Sequence, residues 1–238
     1  MTGLARGRRR RLVGPAAAAA LLLGLAAGHA AGHHVGAYVP RDNEVSANFK
    51  QIKFSLQARK LDVALRLFEE GAVRTEMQAQ AARLPAGLEE ATRAALRAGD
   101  AAGAERGLMV FFAALARDLA LEADRRLGDA REPAQARAAA GRKFLEAIWR
   151  YYNLVDFAVS QHDSKTAVAV RLAFDEAEGY AKDPSAAPAG NAPAEPVRVT
   201  GRPVTAPDPV KMREPLRRVA QALAQLIETS STPTRRAP

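Results

Sequence analysis

Residues 133–181 read PAQARAAAGRKFLEAIWRYYNLVDFAVSQHDSKTAVAVRLAFDEAEGYA, and this stretch decides the fold class. Leu145, Ile148, Tyr152, Val155 and Val159 recur at alternating three- and four-residue steps, which puts them on one face of a helix. The polar turn Gln161–Ser164 interrupts the pattern, and a second Ala- and Val-rich amphipathic run follows to Ala181. Pro133 suits the first helical position, and Asp163 or Ser164 suits the cap of the second helix. The stretch holds the single Trp, Trp149, and three of the four Tyr, so the rest of the fold is expected to pack around it.

Toward the C-terminus the composition changes. Residues 182–207 carry six Pro and almost no large apolar side chain, too little to bury for an ordered domain, and read as a disordered linker. Asp208-Pro209 then opens a helix over 208–229. Met212, Leu216, Val219, Leu223 and Leu226 make a coiled-coil-like seam of two heptads. Two heptads are not stable alone, so this helix either docks on the bundle or joins a protein partner or a second copy through Met212–Leu226. Residues 230–238 read as a polar, disordered tail.

Toward the N-terminus, Val45, Phe49, Ile52 and Leu56 mark a first helix, with Asp42, Asn43 or Ser46 as its cap. A second helix is expected from an Asp62 cap through Glu70 toward Arg83, ended by Leu84-Pro85-Ala86-Gly87. A third spans about 88–97. A fourth spans about 101–127 and carries Leu108, Phe112, Leu115 and Leu119. The fold class expected for residues 32–181 is therefore all-α: an antiparallel helical bundle of three helix hairpins, with a C-terminal helix after the Pro/Ala-rich linker. The hairpins share a layout of helix end, polar turn with Asp and Ala-rich helix. This layout resembles tetratricopeptide-like hairpins, but the intervals are unequal and the diagnostic aromatic positions are missing, so it is not read as a repeat protein.

Residues 1–31 combine five Arg, an uncharged Ala/Leu/Gly run and a small-residue exit, the layout of a signal peptide. The alternative of a retained anchor is disfavoured because Ala and Gly span poorly, so no stable membrane span is expected after cleavage. A periplasmic or secreted location follows. The charge of +9 owes much to this segment: of 35 Lys and Arg, five lie in it, leaving 30 against 26 acids, or +4. Interspersed charges at +4 do not make the basic footprint that nucleic acid requires. The absence of Cys excludes disulfides, thiolate metal sites and thiol catalysis.

Four groups of residues are candidates for chemistry. His33-His34 lies within three residues of a mature N-terminus at Ala31, Gly32 or His33, where amine, backbone amides and imidazole suit copper or nickel. His162-Asp163 offers a base or ligand, although capping and the helix dipole account for the pair. Glu146, Arg150 and Asn153, with Asp156, form a polar stripe that lacks the Glu-x-x-His of di-metal bundles. Among Trp149, Tyr151, Tyr152 and Phe157, an exposed Trp149 and Tyr151 would make a partner-binding patch, while core packing is the default. No G-x-S-x-G, phosphate loop or dinucleotide fingerprint is present. Three functions stay open: a non-enzymatic exported binding or scaffold protein, a copper or nickel binder, and an enzyme whose Glu146, Arg150 and His162 converge.

Overall fold

The computed structural model describes residues 41–182 and 206–231. The expected signal peptide, His33 and His34, all but the ends of the Pro-rich linker and the tail beyond 231 lie outside the described residues. Within them the protein is all-α, with eight helices and no strand.

α1 (Glu44–Gln57) begins at a capping box: Asn43 accepts from the Ser46 N–H at 2.9 Å, and the Ser46 hydroxyl accepts from the Asn43 N–H at 2.9 Å. Its expected face is inward, with Phe49, Ile52 and Leu56 buried and Val45 packed at the edge.

The expected second helix does not form as one piece. The chain makes α2 (Leu61–Glu69), α3 (Ala72–Ala79) and a 3-10 turn (Ala81–Arg83), with Lys60 rather than Asp62 in the cap position of α2. The break falls at Gly71, where a Cβ would meet the Leu67 carbonyl oxygen at 2.2 Å and the Asn48 side chain at 2.3 Å. Asn48 of α1 fills that space and bonds the backbone on both sides of the break. The helix stops because another helix supplies its cap, a fact invisible to a pattern of apolar spacing.

α4 (Leu88–Arg97) lies against α5 (Ala101–Leu127). The two come close where Gly107 faces Thr92, whose hydroxyl would stand 2.2 Å from a Cβ there. Asp100 caps α5 by accepting from the Gly103 N–H at 2.9 Å. The unbroken run from Leu108 to Ala116 is buried on every side, which marks a helix enclosed by its neighbours. α5 packs against α4, α6 (Ala134–His162) and α8 (Arg213–Ser231). The centre of the molecule is thus α5, and not the expected stretch 133–181, which supplies α6 and α7 (Ser164–Ala181) as one wall. Small Ala side chains let α5 sit at the middle, because they allow several helices to approach the same axis.

α6 and α7 are tied by Asp156, which accepts two hydrogen bonds from Arg171, one of them at 2.9 Å. Asp163 caps α7, accepting from the Lys165 and Thr166 N–H groups at 3.1 Å and from the Thr166 hydroxyl at 2.7 Å. Those bonds, first the hydroxyl and then the N–H of Thr166, hold its carboxyl below the ordinary value.

α8 docks on α5 and α7. The seam Met212, Leu216, Val219, Leu223 and Leu226 is wholly buried within the chain, so the face offered to a partner or second copy by sequence is covered by the protein's own helices. Asp124 of α5 pairs with Arg213 at 2.7 Å and Arg217 at 3.1 Å, and Glu176 of α7 pairs with Arg218. The Asp208 N–H donates to the Tyr180 carbonyl at 2.9 Å, fixing where the chain re-enters the bundle. Asp208 itself caps a turn that precedes α8, and the helix runs on to Ser231 rather than ending at 229.

Candidate ligand groove

Trp149 is only 6% exposed, its ring 5.0 Å from Phe174 and 6.1 Å from Tyr152. It belongs to the core, the default reading, which corrects the alternative of an exposed partner-binding patch: α7 covers it with Phe174. Tyr151 is half-buried, accepts from the Asn43 side chain at 2.8 Å and packs 5.8 Å from Phe112. The two residues therefore do not share a free surface. Tyr152 is fully buried, and its hydroxyl has no hydrogen bond of ordinary geometry among the described residues. Burial first, and then the nearby Asp156 carboxylate, hold that phenol above its ordinary value.

The polar stripe on α6 pairs with itself. Arg150 reaches Glu146 at 3.4 Å, Asn153 is exposed, and Asp156 turns to Arg171. His162 lies roughly 18 Å further along the helix axis than Arg150, at 1.5 Å per residue, so Glu146, Arg150 and His162 do not converge. His162 instead sits exposed at the end of α6, its Nε2 3.1 Å from the Ser230 hydroxyl of α8. Among the described residues no group of three or more His, Asp or Glu is placed to hold a metal ion.

The end of α6 does build a site. Between α1, the first turns of α5 and the last turns of α6 lies a half-open groove of about 370 Å³. Its floor is apolar: Phe49 and Leu56 from α1, Leu108 and Met109 from α5, and Val155 from α6 are all buried. Its edge carries Phe157, which is 69% exposed although it stands beside that floor. Charged and polar groups ring it: Lys53 on α1, Glu105 and Arg106 on α5, and Gln161 and His162 on α6. Lys53 lies over the Phe49 ring at 5.9 Å and donates to the Leu154 carbonyl at 3.4 Å.

A second hollow, of about 730 Å³, lies by α3 and α5, and four of its charged side chains pair with one another, while Arg83 and Glu76 form no ion pair among the described residues. Arg117 pairs with Asp118 at 2.7 Å and Arg125 with Glu122, which leaves those four with little demand for an outside ligand.

Reasoning from sequence missed the groove, although the sequence carries two signals of it. Phe157 falls outside the apolar stripe of α6, and Lys53 falls inside that of α1, four residues from Phe49 and three from Leu56. Each is out of place on its own helix, and the two line one groove only because α1 and α6 are neighbours. No helix among the described residues is long and apolar enough to cross a membrane. Comparison with known protein families, curated proteins and solved structures finds no match.

Proposed function

We propose that the protein is an exported, non-catalytic helical binding protein that holds a small ligand with a large apolar part in the groove between α1, α5 and α6. The observation that carries this reading is Phe157, an exposed phenylalanine on the lip of a buried apolar floor. Water-exposed aromatic surface beside such a floor is stabilised when a ligand covers both. The volume lies within the ~300–1,000 Å³ usual for small-molecule sites, and Met109 gives the floor a side chain that adapts its shape. Export rests on the layout of residues 1–31.

The test is fluorescence of the neutral apolar probe N-phenyl-1-naphthylamine. The mature protein is expected to enhance it saturably, and Phe157→Ala to weaken binding severalfold without altering the far-UV circular dichroism, because Phe157 contributes little to the core. Equal binding by the parent and the variant would overturn the assignment of this groove.

A further inference from the structure

Lys53 and Arg106 stand on two different walls of the groove, α1 and α5, and neither has a carboxylate partner among the described residues. About half of the described Lys and Arg form ion pairs, among them Arg74 with Glu89, Arg97 with Glu69, Arg171 with Asp156 and Arg213 with Asp124. Glu105 also lines the rim and likewise forms no ion pair there, so the two cations exceed the acids around the groove by one. Lys53 is half-buried, held over an aromatic ring and against a backbone carbonyl rather than extended into water. A half-desolvated ammonium without an anion gains more from one than a solvated ammonium does.

From this arrangement we infer that the ligand is a free single-chain amphiphile with an anionic head, its tail on the Phe49–Met109–Val155 floor and its carboxylate between Lys53 and Arg106. The inference rests on the groove being the binding site. The hollow is concave, and its two unpaired cations flank an apolar floor. A membrane surface would call for a protruding apolar edge with several cations around it.

The experiment is displacement of N-phenyl-1-naphthylamine from the mature protein by dodecanoate, dodecanol and dodecyltrimethylammonium, each below its micellar concentration, with Lys53→Gln/Arg106→Gln alongside the parent. Dodecanoate is expected to bind roughly tenfold more tightly than dodecanol, the size of effect that one charge-assisted hydrogen bond supplies. The cationic amphiphile is expected to bind worst. In the double variant dodecanoate falls to the affinity of dodecanol, while dodecanol is unchanged, which shows that the fold is intact. Added salt weakens dodecanoate alone. Equal binding of dodecanoate and dodecanol by the parent, or a preference that survives in the double variant, would overturn the head-group inference while leaving the groove in place. If the probe itself does not bind, the groove reading fails, and the inference with it. Retention on anionic phosphatidylglycerol vesicles without displacement by dodecanoate would also overturn it.

Discussion

Asn48 of α1 hydrogen-bonds to Leu67 and to Val73, on opposite sides of the break between α2 and α3: its amide donates to the Leu67 carbonyl at 3.0 Å, and its oxygen accepts from the Val73 N–H at 3.0 Å. A helix end leaves carbonyls unserved and a helix start leaves N–H groups unserved, and one side chain here serves both. Asn48→Ala is expected to cost about 1–3 kcal/mol, the penalty for leaving a buried backbone group without a partner. Asn48→Asp keeps the acceptor for Val73 but sets a carboxylate oxygen against the Leu67 carbonyl, so it is expected to be destabilising as well. Urea denaturation followed by circular dichroism measures both, and an Asn48→Ala variant as stable as the parent would refute the bridging role.

Glycines 71 and 179 are expected to respond to alanine in opposite directions. A Cβ at Gly71 meets backbone and the Asn48 amide at 2.2–2.4 Å, so something rigid has to move, at about 1–3 kcal/mol. A Cβ at Gly179, within α7, meets nothing within 4 Å. Gly179→Ala is therefore expected to stabilise by about 0.5–1 kcal/mol through helix propensity alone. Thermal midpoints of the two variants, compared with the parent, decide it by their signs.

The docking of α8 is expected to weaken in acid. Burial by itself raises the Asp124 carboxyl, but hydrogen bonds from Arg213 and then Arg217 outweigh it, so the folded value lies below the ordinary one. Such a group binds fewer protons folded than unfolded. Its contribution is complete above the unfolded value of ~4 and disappears as pH falls through that value toward the folded one. Asp124→Asn is expected to be less stable than the parent at neutral pH, with the gap closing below about pH 4. Asp42, Asp163 and Asp208 are lowered as well, so the variant keeps an acid limb of reduced slope. Thermal scans across this range test the claim, and parallel pH profiles would sink it.

Trp149, the single tryptophan, reports on the α6–α7 interface because it packs on Phe174. Its emission is expected to be blue-shifted and poorly quenched by iodide in the native protein. Phe174→Ala is expected to cost about 3–5 kcal/mol and to red-shift that emission at lower denaturant concentration. Strong iodide quenching of the native parent would place Trp149 at the surface and contradict the packing described.

The helices were legible in the sequence wherever one chain segment carried its own instructions. The cap of α1 among Asp42, Asn43 and Ser46, that of α7 at Asp163 or Ser164, and the apolar faces of α1 and α6 are all local, and the structure reproduces them with Asn43 and Asp163 as the caps. The break at Gly71 was not legible, because the side chain that caps it sits on another helix. Gly71 could have signalled it, yet an isolated glycine in a helical pattern is often tolerated.

What the sequence by itself determined was the all-α class, the approximate extent of most helices and the seam that needed covering. Periodicity and capping are properties of residues within a few positions of one another, and those are written in order along the chain. Tertiary structure alone decided that α5 lies at the centre, that α8 covers its own seam on α5 and α7, and that Trp149 is core. It also brought Lys53, Arg106 and Phe157 around one groove from three separate helices. A spacing rule states which face of a helix is apolar, but the identity of the surface that buries it depends on how all the faces fit together, and packing density settles that only when every helix is in place.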